Sequence, residues 1–469
     1  MPAFRSQAGV DFEGLYFDGY LITKLATLEK LGGDMNVQRG QRAVLAALLA
    51  LVAADAAAAL TAAERQIVAA VKERSGAALQ FLERTVNVNS GTLNPEGVRE
   101  VGRMFRAEFD QLGFTTRWVE LPPAVQRAGH LVAAREGKQG KRLLLIGHLD
   151  TVFEKDSPVQ RWERKGDRIR GPGVSDMKGG DVIIVEALRA LAKLHALDNT
   201  RITVVFTGDE EKPGSPLEVT RAELVGAAKR SDLALGFEGI VKDREGRDTA
   251  TVGRRAASGW MLTVTGKPAH SSGVFSESSG FGAIYEGARI LNAFREQVAE
   301  PDLTFNPGAV VGGTEVSYDP AVNKGSAFGK TNVIAASFRA QGDLRYLTYG
   351  QRDRAHARMR AIVAKSLPGA KAEITFSESY PPMSPTPGNL RLLESYSQAS
   401  VDAGLGVIEA LPPGQRGAGD VQFVAPYVAC LDGIGASGEG SHTNDEDLEP
   451  GSIERATIRA ALLIYRLTR

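Results

Sequence analysis

Three apolar runs constrain this chain more than anything else in it, because each stops on titratable groups. KRLLLIGHLD (141–150) ends at His148 and Asp150, ITVVFTGDEE (202–211) at Glu210 and Glu211, and ALGFEG (234–239) at Glu238. Between the first two lies DVIIVEALRALAKLHAL (181–197), whose apolar spacing is helical. Strand, helix, strand, with chemistry at each strand's carboxyl end, predicts an α/β sheet whose functional edge is that end.

The flanking segments extend the pattern. Residues 62–85 and 95–112 read as helices, and TTRWVEL and HLVAARE alternate like strands. From 254 to 378 the order changes to β-α-β-β-α-β: strand SGWMLTVTGK, helix 280–298, strands GAVVGGTEVSY (308–318) and NVIAASFRAQGDLRYL, helix 349–367, strand KAEITFSES. That order is a ferredoxin-like α+β unit. PPMSPTP (381–387) marks its end, and helices at 389–404 and 452–467 close the chain. The expected domains are therefore a first α/β part at 61–253, an inserted α+β unit at 254–378 and a second α/β part at 379–469.

The first 60 residues stand apart. In MNVQRGQRAVLAALLALVAADAAAAL (35–60), Arg39 and Arg42 precede a run of about a dozen apolar residues and then small ones. This is the pattern of a secretory signal and is too short for a membrane span, which needs about 20 residues. An Ala-rich amphipathic helix is the alternative. Export is expected, to the periplasm or beyond, with Met35 as a natural start and 1–34 as an upstream extension; without a working leader the chain would be cytoplasmic.

Composition removes other classes. Lys+Arg 56 balances Asp+Glu 56, which leaves no basic excess for nucleic acid or an anionic membrane surface. Cys430 is the single cysteine, so neither an intrachain disulfide nor a cysteine zinc site is possible. A metal would have to be held by carboxylates and by some of the six histidines.

Five groups fit that requirement. In GHLDTV (147–152), His148 and Asp150 point the same way along a strand, so Asp150 can accept the second ring N–H of His148 and orient it. Alone, the triplet also fits a surface strand end. GPGVSDMKGGD (171–181) sets Asp176 in a glycine-rich turn before a helix; it lacks the G-K-[ST] and G-x-G-x-x-G patterns of phosphate loops, so Asp176 reads as a ligand able to bridge two ions. Glu210 and Glu211 are adjacent carboxylates, costly to bring together without a cation, and neighbours at a strand end point apart, which allows one to bind metal and the other to face water. A solvated acidic loop is the alternative there. Glu238 ends the third strand between glycines, and His442 lies in the loop GEGSHTNDE. Two ions sharing Asp176, each with one His and one Glu, would use all five.

GHLDTV, GPGVSDMKGG, TGDEE, FEG and GSHTNDE stand in the order and spacing of the M20 zinc metallopeptidases, the glutamate carboxypeptidase-like family, and the resemblance runs from about Thr61 to Arg469. It implies an α/β catalytic domain with an inserted ferredoxin-like lid that usually forms a homodimer, and two Zn²⁺ per subunit, with Co²⁺ as a substitute. His148 and Glu238 would bind one ion, Glu211 and His442 the other, and Asp176 both. Asp150 would orient His148, and Glu210 would be the general base. His270 in GKPAHSSG matches the lid histidine that reaches a neighbouring subunit's site, and Asn332 in TNVIA matches a lid asparagine. Arg345 in GDLRYL and Arg416 in QRGAGD fall near positions that bind the substrate carboxylate, with structural ion pairs as the alternative. His130, His195 and His356 match no motif and read as structural.

The expected activity is cleavage of an amide or peptide bond next to a free carboxylate, as in a carboxypeptidase of the glutamate carboxypeptidase type. The runners-up are an N-acyl-amino-acid deacylase or an aminopeptidase. A dead relative that only binds metal and dimerises is the alternative from another class. The expected partners are a peptide or N-acyl amino acid and a second copy of the chain, without nucleic acid or a stable membrane span.

Overall fold

Thr61 opens the first helix with a reciprocal cap. Its hydroxyl accepts from the Glu64 amide (3.2 Å) and the Glu64 carboxylate accepts from the Thr61 amide (2.8 Å), which satisfies two donors that a helix start leaves open. The computed structural model describes residues 60–320 and 322–469, so the expected leader lies, as far as Ala59, outside the described residues.

The main sheet holds β1 (Thr115–Val119), β2 (His130–Arg135), β3 (Gln139–His148), β4 (Thr200–Thr207) and β5 (Leu233–Gly236), in the order β1-β2-β4-β3-β5, with a short Ala429–Leu431 strand beyond β5. β3 runs parallel to both β4 and β5, whereas β1 and β2 are antiparallel additions at one edge. The three parallel strands therefore deliver their carboxyl ends to one edge, as the sequence pattern predicts.

Strand alternation divides the core. Leu143, Leu145, Ile202, Val204 and Phe206 face α1 (Ala62–Val86), α2 (Pro95–Gln111), α3 (Lys178–Lys193) and the C-terminal helix Pro450–Leu467. Phe206 meets Phe105 and Phe109 edge-on, at ring separations of 5.3 and 5.5 Å. Leu144, Ile146 and Val205 face the other way, onto Leu224 and the buried Cys430. Glycine lets α3 begin hard against the strand ends: a Cβ on Gly180 would lie 2.0 Å from the Phe237 carbonyl oxygen, and one on Gly147 2.0 Å from the Asp181 carboxylate.

A second sheet contains only residues between Ala257 and Tyr380. Its elements are β6 (Ala257–Gly266), α4 (Gly282–Gln297), β7 (Thr304–Gly313), β8 (Glu315–Asp319), β9 (Lys324–Phe328), β10 (Ser337–Arg345), α5 (Tyr349–Val363) and β11 (Ala370–Tyr380). The antiparallel order β7-β10-β6-β11 is ferredoxin-like, with Trp260, Leu262 and Val264 alternating inward onto Ile290, Phe294 and Met359. The expected single strand over 308–318 is two strands. Pairing of β7 with β10 ends at Gly313, so the chain leaves the sheet and folds β8 onto β9 as an added hairpin. Among the described residues no helix is long and apolar enough to cross a membrane.

His130 ties the start of β2 to the end of β4 and is not one of the clustered ligand-type groups. It is buried at the start of β2; its Nε2 lies 2.7 Å from the Thr220 carbonyl and its Nδ1 accepts from the Gly208 amide at 3.3 Å. The ring is neutral in that arrangement, and burial draws its pKa below 6.5. The unfolded chain takes up the proton first as pH falls, so the contribution is complete above about pH 6.5 and is lost below it, by at most about 1.4 kcal/mol per pH unit for one proton. His130→Asn should therefore show a smaller drop in urea midpoint between about pH 7.5 and pH 5.5 than the parent. An equal drop would show that His130 does not carry this dependence.

Candidate metal centre

Three strand ends and a C-terminal loop place four ligand-type side chains around one carboxylate, Asp176. His148, the last residue of β3, holds Nε2 3.4 Å from Asp176 Oδ1 and 3.7 Å from Glu238 Oε1. The other oxygen of Asp176 lies 3.2 Å from His442 Nε2, which is 3.0 Å from Glu211 Oε2. Asp176 thus turns one oxygen to each imidazole, in two triads that share it: His148–Asp176–Glu238 and Asp176–Glu211–His442.

The donor set fits cations. His148 Nε2 and Glu211 Oε1 are buried and have no hydrogen-bond partner, and both belong to side chains of the cluster. Burial, and then the Glu238, Asp420 and Glu211 carboxylates, push Glu210 well above the usual carboxylate range, against the pull of His148. Burial and then Asp176 push Glu211 up to about 7. Carboxylates crowded in this way call for positive charge between them, and two sets of imidazole nitrogen and carboxylate oxygen suit zinc or a similar divalent ion.

Asp150 plays a different part from the one its spacing suggests. His148 Nδ1 lies 3.0 Å from the backbone carbonyl of Asp150 and 3.6 Å from its carboxylate. The carboxylate instead accepts from Thr92 Oγ1 (2.6 Å) and from the amides of Glu210 (3.0 Å) and Glu211 (3.1 Å). Burial would raise its pKa, but His148 and these donors outweigh that and lower it, which keeps the carboxylate charged. Asp150 orients the imidazole through its main chain and the acidic turn through its side chain.

The cluster lies in a cleft of ≈ 680 Å³ lined also by Glu210, Arg254 and Arg416. Arg416 Nη2 is 3.6 Å from Glu238 Oε2, and its buried Nε has no partner. The expected lid residues do not join the cluster. His270 is exposed, with Nδ1 2.8 Å from Ser272 Oγ, and the Asn332 carbonyl accepts from the Ser271 amide at 2.9 Å. Arg345 pairs with Asp343 on its own strand (3.1 Å), and neither it nor His270 nor Asn332 lines the cleft. His195 is exposed after α3, and His356 stacks on Phe376, both apart from the cluster.

Three groups escaped the sequence reading. Glu446 accepts from the amides of Ser175 (3.0 Å) and Asp176 (3.1 Å) and so holds the turn that presents Asp176; it sits inside GSHTNDE, three residues from Thr443, yet nothing local marks it. Arg254 donates to Asp432 (2.7 Å) and to the carbonyls of Gly417 and Ala418 (both 2.9 Å), supporting the segment after Arg416. Arg221 bonds Asp209 and Asp420, both at 2.6 Å, beneath the Glu210 turn. Their partners lie up to 271 residues away, beyond any motif.

Comparison with known proteins gives this site a family. The model for peptidase family M20/M25/M40 matches residues 144–466. Carboxypeptidase G2 of Pseudomonas sp. (strain RS-16) is 27% identical over 432 residues, 91% of this chain and 98% of that protein. Succinyl-diaminopimelate desuccinylase of Cupriavidus necator is 26% identical over 304 residues, 61% of this chain and 73% of the relative. Among solved structures, a dinuclear metal binding peptidase of Bacillus subtilis superposes with a TM-score of 0.59 at 14% identity, covering 85% of this chain and 99% of that one. The match spans every strand end that carries the cluster, and the chain belongs to peptidase family M20/M25/M40, as a metallopeptidase or amidohydrolase with an α/β catalytic fold.

Proposed function

We propose that this protein is a dinuclear zinc carboxypeptidase of the glutamate carboxypeptidase type, cleaving an amide bond next to a free carboxylate. The observation that carries the reading is Arg416, buried in the cleft beside Glu238 with an unpartnered Nε. Burial, and then Arg254, draw its pKa down, so this cation gains from an anion brought to it. A guanidinium recognises a carboxylate by a two-pronged hydrogen-bonded fork. The likeness to carboxypeptidase G2 over nearly the whole of both chains supports the same choice. The likeness to desuccinylases supports a second reading, N-acyl-amino-acid deacylation, in which Arg416 grips a carboxylate of the acyl group.

In this scheme His148 and Glu238 hold one zinc, Glu211 and His442 the other, and Asp176 both. Bound there, zinc (or cobalt as a substitute) supplies Lewis acidity at the amide carbonyl and brings the pKa of water toward 7. Glu210 takes the proton of the attacking water and passes it to the leaving amine, one carboxylate serving both steps. Asp150 keeps the Glu210 turn and the His148 ring in place for this. Arg416 fixes the substrate carboxylate. His270 of the partner subunit meets the developing oxyanion, which makes a homodimer through the lid part of the proposal, and Asn332 contacts the substrate.

A hydrolysis screen with added zinc or cobalt tests the substrate reading. Peptides with a free C-terminal carboxylate should be cleaved roughly 10–100-fold better than their amides, the worth of a charged hydrogen-bonded contact, and Arg416→Met should abolish that preference. Equal rates on acid and amide would defeat it, whereas preference for a dicarboxylic acyl group would select the deacylase reading. Glu210→Gln should retain both metals and lose about 10²–10⁴-fold in kcat. Mixing it with His270→Ala, under conditions of subunit exchange, should restore part of the activity, because one site then joins an intact Glu210 to an intact His270. No recovery despite proven exchange would remove the trans role. Export completes the proposal: mass spectrometry of the protein from its source cell should find a terminus near residues 55–62, and an intact Met1 would overturn it.

A further inference from the structure

The two strands that carry the chain into and out of the second sheet run side by side. Arg254 and Met383 exchange backbone hydrogen bonds of 2.9 and 3.0 Å, and Ala257 pairs with Tyr380. The buried Gln422 amide donates to the Arg255 carbonyl on the outgoing strand (3.1 Å) and to the Pro381 carbonyl on the returning one (2.5 Å), and it accepts from the Gly419 amide (2.8 Å). Each strand sends one side chain to a segment that bears a cleft residue. Arg254 supports the segment after Arg416. Tyr380 donates its hydroxyl to the backbone carbonyl of Glu210 at 3.2 Å, and its ring packs on Phe423 at 4.9 Å.

The turn that bears Glu210 is thus held from three sides. Asp150 takes the amides of Glu210 and Glu211. Arg221 takes the Asp209 carboxylate (2.6 Å) and carbonyl (3.0 Å), with Phe423 under its guanidinium at 5.5 Å. Only the third hold comes from the lid crossing. Among the described residues, no other hydrogen bond reaches the Glu210 carbonyl. Phe423 touches both the tyrosine and the arginine, so a movement of the returning strand is felt at two points of the turn.

We propose that Tyr380 is a positioning residue that ties the returning lid strand to the Glu210 turn, so that lid setting and base orientation change together. This rests on the reading of Glu210 as general base. Tyr380→Phe removes the hydroxyl and keeps the ring on Phe423. It should lower kcat about threefold to tenfold, the scale of one ordinary hydrogen bond, with KM and metal content unchanged. In the metal-free protein, amide exchange over residues 207–212 should quicken while the rest of the chain keeps its protection. Ser231→Ala is the control: it loses a hydroxyl-to-carbonyl bond to Ala227 (2.9 Å) on neither the turn nor the crossing strands and should keep the parental kcat. A parental kcat in Tyr380→Phe overturns the proposal. So does faster exchange spread over the whole chain with a lower melting temperature, which would mark simple packing. In either case an inactive Glu210→Gln leaves the base reading standing. Turnover by Glu210→Gln defeats the base reading, and the proposal with it.

Discussion

Everything at the functional edge follows from one crowded carboxylate. Asp176 stands between two imidazoles, with Glu211 and Glu238 behind them and Glu210 close by. Bringing that many acids into a buried cleft is unfavourable without positive charge, and the fold supplies only part of it. Arg254 is committed to Asp432, and Arg221 to Asp209 and Asp420. The uncommitted demand is what suits the cluster to a metal, in line with the unpartnered nitrogen of His148 and oxygen of Glu211.

The framework around the cluster serves to hold charges where they do not want to be. Strand β3 ends in a residue that faces the cluster, and the glycines of 171–180 let the chain turn and start α3 against the neighbouring strand ends. Glu446 fixes the amide of Asp176, and Asp150 fixes the amides of Glu210 and Glu211. Main-chain amides are the economical donors here, because they stabilise an anion without adding another titrating group. Chemistry is thus set by side chains and their aim by backbone hydrogen bonds from distant segments.

The sequence was most legible where function follows from local geometry. The strand ends that lead to His148, Glu210, Glu211 and Glu238 were readable because an apolar run of strand length ends at the sheet edge, so the residues at or just past its end face the crevice. The ferredoxin-like order of the second sheet was readable for the same reason of period and length. The β8–β9 hairpin was not: residues 308–318 carry continuous strand character, and only the loss of a pairing partner after Gly313 splits them. Arg345 and Arg416 looked alike in sequence, yet one closes an ion pair with Asp343 on its own strand and the other lies in the cleft.

By itself, then, the sequence determined the sheet, its functional edge, the inserted α+β unit and the residue types available for two cations, because these depend on periodicities and strand ends within ten residues or so of each other. Tertiary structure decided which oxygen of Asp176 meets which imidazole, that Asp150 reaches His148 through its carbonyl and the Glu210 turn through its carboxylate, and that Arg221, Arg254, Tyr380 and Glu446 belong to the site at all. Those contacts join segments up to 271 residues apart. A hydrogen bond is specified by direction and distance in space, and the chain expresses neither until it has folded.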